Sequence, residues 1–216
     1  MLKIILLETK QKLWETYKKG IIQQIFSQKI RFKKEDGEDY PDWEGKKLGE
    51  VAKFLDGKRI PLKNSDRTKR KGPYPYYGAS GIIDYIDDYI FDEELVLLAE
   101  DGANIITRSS RLSFLANGKY WVNNHAHVIK GLNKTNHYFL SEQLERVNYA
   151  KYNTGTAQPK LNQDVCQKIP LMMPKIEEQN EIASFLQAID YKMDQLGKEL
   201  EICKKFNKGL LQQMFC

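Results

Sequence analysis

Cysteine is scarce in this chain: Cys166, Cys203 and Cys216 are the only three, far apart and without a C-x-x-C pair. That spacing excludes a disulfide framework and a paired-cysteine zinc site, and it fits a reducing compartment, so a cytoplasmic location is expected. Long apolar runs are missing too. No stretch approaches the roughly 20 apolar residues of a membrane span. The apolar part of the N-terminal MLKIILLETK is too short for a secretion signal and runs on into Glu8 and a helical pattern. Also absent are the GxxxxGK[ST] phosphate loop, the Gly-rich dinucleotide fingerprint, the G-x-S-x-G elbow and H-E-x-x-H. No D/N-P-P-Y/F motif is present to hold a flipped adenine. The chain therefore lacks these parts for chemistry of its own. Neither charge sign dominates: 34 Lys+Arg against 29 Asp+Glu leave +5, which permits an anionic partner without requiring one.

What is present is a repeat. Residues 17–26 read YKKGIIQQIF and residues 206–215 read FNKGLLQQMF, with Lys19, Gly20, Gln23, Gln24 and Phe26 recurring as Lys208, Gly209, Gln212, Gln213 and Phe215. A motif that brackets a chain once is not a solenoid array, whose units recur at short period. Its periodicity reaches further than its identity. Apolar residues at Ile182, Leu186, Ile189, Met193, Leu196, Leu200 and Cys203, then Leu210 and Met214, alternate at intervals of three and four, a heptad seam interrupted by the polar Asn207. The first copy places Ile4, Leu7, Gln11, Trp14, Lys18, Ile21 and Ile25 on the matching stripe. Two helices are predicted, over about 1–29 and 175–216. The second would be roughly 60 Å long at about 1.5 Å per residue, so it needs a partner helix, and an antiparallel coiled coil is expected.

Between the helices, residues 30–43 break the heptad with charges, Gly37 and Pro41 and read as a linker; 44–174 read as one mixed α/β domain. Its most basic stretch holds Lys58, Arg59, Lys63, Arg67, Lys69, Arg70 and Lys71, followed at once by Tyr74, Tyr76, Tyr77, Gly78, Ser80 and Gly81. Cations neutralise phosphates, aromatic rings pack on sugars and bases, and glycines allow close approach. A solvated loop is the plainer alternative. Leu95–Ala99 reads as a buried strand. Asp87, Asp88, Asp92, Glu93 and Glu94 do not have the E-x-K spacing of a metal-dependent nuclease, and Glu44-Gly45-Lys46 follows Pro41-Asp42 too closely to complete one. Asn117-Gly118 signals a hairpin turn. His125 and His127 share a strand face, yet no third metal ligand presents itself. Residues 136–150 read as a helix. Asn153 to Asn162 (NTGTAQPKLN) then place hydroxyls, an amide, a glycine and Lys160 on one loop able to meet base edges and phosphates.

The run NTGTAQPKLNQDVCQKIPLMMPKIEEQNEIASFL, taken with YPYYGASGIIDYIDD and the terminal KGLLQQMF, resembles the specificity subunit of type I restriction–modification systems across essentially the whole chain. The resemblance implies a target-recognition domain that binds double-stranded DNA without catalysis, with helices that space such domains and dock methyltransferase and restriction subunits. Those partner subunits would supply the S-adenosylmethionine, ATP and Mg sites, and no cofactor or metal is expected on this chain. A full-length subunit carries two recognition domains and this chain has one, so a homodimer reading an interrupted palindrome is expected. Phosphate contacts are assigned to the cations of 58–71 and Lys160. Groove contacts are assigned to Tyr74, Tyr77, Ser80, Asn104, Asn123, Asn124, Thr156 and Gln158. Partner helices would meet through Leu7, Trp14, Ile21, Ile25, Ile189, Met193, Leu196, Leu200, Leu210 and Met214. The competing reading is a helix-mediated protein-interaction module that does not bind DNA.

Overall fold

A computed structural model describes residues 2–214, with side chains described as far as Gly209. Leu210 and Met214, expected on the seam, and Gln212, Gln213, Phe215 and Cys216 lie outside the described side chains. In chain order the elements are α1 (Leu2–Phe26), β1 (Glu44–Lys47), α2 (Leu48–Val51), β2 (Ala52–Phe54), a 3-10 turn (Asp56–Lys58), α3 (Asn64–Lys69), β3 (Lys71–Gly78), β4 (Gly81–Ile86), β5 (Phe91–Asp92) and β6 (Leu95–Ala99). There follow α4 (Asn104–Thr107), β7 (Ser113–Ala116), β8 (Lys119–Val122), β9 (Ala126–Gly131), α5 (His137–Glu145), a second 3-10 turn (Tyr149–Tyr152), α6 (Gln163–Cys166), β10 (Pro170–Met173) and α7 (Ile176–Met214). The chain divides into two compact units, Met1–Tyr40 with Glu181–Cys216, and Pro41–Asn180.

The first unit is an antiparallel pair of helices, as the heptad seam requires. Ile4, Leu7, Gln11, Trp14, Lys18, Ile21 and Ile25 on α1 are all buried or half-buried, as are Ile182 through Asn207 at the seam positions of α7. Between the α1 seam positions most residues are exposed. Burial of one stripe per helix is what drives such pairing, since neither helix forms its contacts from propensity alone. The polar seam residue Lys18 is satisfied by Asp190 at 2.5 Å, and Lys3–Glu199 and Glu8–Lys204 pairs join the helices nearer the start of α1. α1 ends where Gln28 adopts a left-handed conformation (φ 59°), after which Lys29 and Ile30 donate their N–H groups back to the Gln24 carbonyl. The expected linker is tied down rather than free in this unit: Phe32 packs edge-on against Phe185, and the Tyr40 hydroxyl donates to Glu181 at 2.7 Å.

The second unit holds three sheets, in strand orders β1-β10, β2-β9-β6-β7 and β4-β3-β8-β5. β6 is buried along its whole length, which explains its unbroken LVLLA run. Leu95 and Leu97 face Phe91, Tyr120 and Val122 of the other four-stranded sheet, together with Ala116, Ala126 and Val128, so the two sheets pack face to face. Alternation sends Trp121 to the opposite side of β8, where it joins Tyr76 and Ile86. α5 covers β6 and β7 with Phe139, Leu140 and Leu144, and Asn136 caps it by accepting from the Phe139 N–H. One expectation is corrected here. Asn117-Gly118 bends the chain, with Gly118 at φ +72°, but Asn117 lacks the positive φ of a type I′ hairpin turn and β7 and β8 do not pair; the first joins β6 and the second joins β5 and β3. A two-residue bend fixes only a change of direction, and the buried faces of the two strands belong to different sheets.

The motif KIEEQ at the start of α7 acts structurally within this unit. Glu178 is buried and accepts from the Trp43 indole at 3.1 Å. Gln179, also buried, donates to the carbonyls of Pro174 and Lys134 and accepts from the Asn136 N–H. A truncated side chain leaves all three backbone groups without that partner, so Gln179→Ala should cost about 1–3 kcal/mol. Thermal unfolding should register it as a Tm drop of about 2–4 °C per kcal/mol. An unchanged Tm would show that water replaces the amide there.

Candidate nucleic-acid interface

The basic stretch of 58–71 is not one solvated run. Arg59 is sunk in the fold, with Nη1 at 2.6 Å from Glu100 and 2.8 Å from the Ala126 carbonyl, and Nη2 at 3.4 Å from Asp56. Arg67 reaches Asp84 and the Leu62 carbonyl and lies over the Tyr76 ring. Arg70 pairs with Asp87 and Asp88 and lies over Trp121. Lys71 binds Asp84, whose carboxyl is held below its ordinary range by that lysine and by the Tyr85 N–H. These four cations were assigned to phosphates; the structure commits them to protein carboxylates 3–41 residues away in sequence. Lys58, Lys63 and Lys69 are exposed, and among the described residues no carboxylate lies within 4.0 Å of them. They are the cations of this stretch left available to a phosphate.

The expected groove residues separate in the same way. Tyr74 packs on Tyr89, and Tyr77 stacks on Phe114 and meets Tyr120 edge-on, its hydroxyl pKa pushed up by burial and then by Tyr85. Asn104 is consumed by its own turn: its amide donates to the Ser110 carbonyl and hydroxyl, while its oxygen accepts from the Ser109 hydroxyl and the Ser110 N–H. Asn123 is buried and accepts from the His125 N–H. Ser80, Asn124, Thr156 and Gln158 remain exposed; Lys160, assigned to phosphate, is exposed as well, with its ammonium 3.3 Å from Glu100.

Those residues are brought to one edge of the domain by a chain of contacts. Asn123 donates its N–H to the Tyr77 carbonyl, and Glu100 donates its own to His125. His125 Nδ1 meets Asp101 at 2.8 Å. Asp101 bridges to Lys160, and Gly102 donates to the Pro159 carbonyl. The loop 153–160 is itself a closed ring: Asn153 Oδ1 accepts from both Gly155 and Lys160 N–H groups, and Thr154 donates its N–H and hydroxyl to the Lys160 carbonyl. Asn and Thr side chains close such turns by imitating a backbone group, so the NTGT spelling carried this signal. Sequence reasoning missed the residues that hold the ring, Asp56, Glu100, Asp101 and His125, because each lies in another segment. Ile82, Ile83 and Tyr85, exposed beside this edge on β4, were also missed.

Among the described residues, Asp56, Glu100 and His127 are grouped closely enough to suggest a metal cradle. The donors argue otherwise. His127 Nε2 lies 2.8 Å from the Leu161 carbonyl, which only accepts, and Nδ1 lies 2.6 Å from Asp56. Both ring nitrogens therefore carry protons, and Arg59 neutralises the carboxylates. Burial by itself would favour a neutral ring, but the Asp56 hydrogen bond, with Cys166 nearby, raises its pKa to about 10. The group is a closed ion cluster in which neither ring nitrogen has a lone pair to give a metal.

Fold and edge define a class: a mixed-sheet domain that presents polar loops, accompanied by an antiparallel helix pair. The type I restriction modification DNA specificity domain matches residues 40–202. A putative type I restriction enzyme specificity subunit of Haemophilus influenzae, S.HindORF215P, is 39% identical over 146 residues, covering 68% of this chain and 37% of that protein. The MjaVIII specificity subunit of Methanocaldococcus jannaschii is 24% identical over 206 residues, covering 90% and 47%. The crystal structure of the S subunit from M. genitalium superposes with a TM-score of 0.70 at 15% identity, covering 96% of this chain and 55% of that one. The chain belongs to the type I restriction–modification DNA specificity family. It spans between about a third and about half of the length of the relatives it matches.

Proposed function

We propose that the chain binds double-stranded DNA as a non-catalytic specificity subunit, reading one half of an interrupted site. The observation that carries this reading is the edge where Ser80, Asn124, Thr156, Gln158 and Lys160 stand exposed on loops fixed from beneath. Hydroxyl and amide groups on rigid loops can discriminate base edges, while Lys58, Lys63 and Lys69 supply sequence-independent attraction to phosphates. Methylation and cleavage then belong to partner subunits that carry S-adenosylmethionine, ATP and Mg, and the helix pair is where those subunits dock.

Homodimerisation completes the reading. The seam residues Leu7, Trp14, Ile21, Ile25, Ile189, Met193, Leu196 and Leu200 are occupied within the chain. A second copy would meet another stripe, on which Leu2, Leu6, Leu13 and Tyr17 of α1 and Tyr191, Ile202 and Phe206 of α7 are exposed. Two identical readers related by a two-fold axis see identical half-sites, hence a palindrome with a spacer.

The test separates phosphate from base contacts. Lys69→Ala should weaken binding to all duplexes alike and reduce the slope of log K against log salt by about 0.9. Gln158→Ala should relax preference at one base pair, by about 1–3 kcal/mol, with the salt slope unchanged. Arg70 is the wrong probe, because its substitution also removes the contacts to Asp87 and Trp121. The helix-mediated interaction module wins if the purified chain associates with a methyltransferase subunit but shows no salt-sensitive retention on DNA.

A further inference from the structure

Beneath the 153–160 loop lies a set of charges sealed from solvent. Asp56 and Arg59 come from the first 3-10 turn and the residue after it, Glu100 from the residue that follows β6 and His127 from β9, and their side chains are between 2% and 13% exposed. Asp56 spends one oxygen on His127 Nδ1 and the other on the Val128 N–H at 2.9 Å. Arg59 ties Glu100 to the Ala126 carbonyl. Out of this cluster, three links lead to the end of the loop. His127 Nε2 donates to the Leu161 carbonyl, the Glu100 carbonyl accepts from the Leu161 N–H at 2.7 Å, and Glu100 Oε1 stands 3.3 Å from Lys160 Nζ.

We propose that this buried quartet positions the 153–160 loop, and that His127, held by Asp56 on one side and holding Leu161 on the other, sets where Thr156 and Gln158 stand. The inference rests on the loop being a reader of DNA. Thr156, Ala157 and Gln158 are exposed at the tip, so the place of the tip follows from where the ring of 153–160 is anchored. A site that discriminates base edges needs its contacting groups held to about 0.5 Å, which is the work of a locked supporting layer. A fully satisfied buried polar network is stiff because each partial rearrangement strands a charge. Holding both Asp56 and Leu161 takes a ring that donates from both nitrogens, which only the imidazolium can do. The groups that face the ring are Asp56, Glu100, Cys166 and the edge of Phe54, with Arg59 beyond the carboxylates.

Two substitutions split the links. In His127→Gln the amide can still reach toward Leu161 but gives up Asp56; in His127→Asn it can reach toward Asp56 but gives up Leu161. The probes are duplexes enriched by the unmodified chain from a randomised pool, with random duplex as reference, and amide hydrogen exchange at Thr154, Lys160 and Leu161. His127→Asn should speed exchange at those amides at least about tenfold, as a local opening does. It should also cut the preference for the enriched duplexes about tenfold or more, with random-duplex affinity held, because positioned base contacts carry discrimination. His127→Gln should fall between the unmodified chain and His127→Asn, shifting both measures by about threefold to tenfold, since it keeps the Leu161 link but loses the Asp56 hold. Unchanged exchange in His127→Asn would overturn the proposal. Accelerated exchange with discrimination intact would instead overturn the loop as a reader and leave the anchoring in place. Should either variant fail to fold, ring 15N shifts of the unmodified chain decide: both nitrogens protonated at pH 8 are expected, and a neutral ring overturns the two-sided hold.

Discussion

Gly155→Ala is expected to abolish most of the discrimination between enriched and random duplexes while leaving the chain folded. A Cβ built at Gly155 would sit 1.8 Å from the Gln158 carbonyl oxygen and 2.9 Å from both the Gln158 carbonyl carbon and the Lys160 nitrogen. These are backbone atoms on the far side of the same ring, so no side-chain rotation relieves the clash. The ring must open, and its closing bonds, from Gly155 and Lys160 to Asn153 and from Thr154 to the Lys160 carbonyl, go with it. Thr156 and Gln158 then lose their place together. With about 1–3 kcal/mol at stake per base contact, the affinity for enriched duplexes should fall about 10- to 100-fold or more. Random-duplex affinity, which follows the lysines, should move by about twofold at most. Anisotropy titrations on the two duplex classes measure both. An unaltered preference would remove the loop from the recognition surface.

The parts of this molecule that were legible in the sequence are those written in local periodicity. The alternation from Ile182 to Cys203 describes one face of one helix whatever covers it, and the same face is the covered one. Leu95–Ala99 announced burial on both faces through composition alone. What depends on partners distant in sequence was not legible. Arg59 looks like any other cation of 58–71 until Glu100, 41 residues on, takes its guanidinium. Trp121 and Tyr120 are neighbours with opposite fates, because adjacent strand positions face different cores. Asn117-Gly118 spelled a bend correctly and a hairpin wrongly, since local chemistry does not say which sheet the next strand joins.

The same separation between local and distant partners frames the second large effect, on assembly. Leu13 and Phe206 are 64% and 68% exposed, Ile202 67%, and Leu13, Trp14 and Tyr17 line a shallow cleft of about 230 Å³ on α1. Leu2, Leu6, Leu13 and Tyr17 recur at intervals of four, seven and four, so α1 bears a second apolar stripe beside its occupied seam. Exposed positions tolerate substitution to within about 0.5 kcal/mol, so Leu13→Glu combined with Phe206→Glu should keep helicity and Tm. If two copies meet on this stripe, four like charges would enter an apolar interface, and dimer affinity should fall about 100-fold or more. Sedimentation of the unmodified and doubly substituted chains across micromolar concentrations reads this directly. A dimer that persists in the variant places the contact elsewhere on the helices. An unmodified chain that sediments as a monomer, alone and with a methyltransferase subunit, removes the two-fold axis, and with it the reason for the recognised site to be a palindrome.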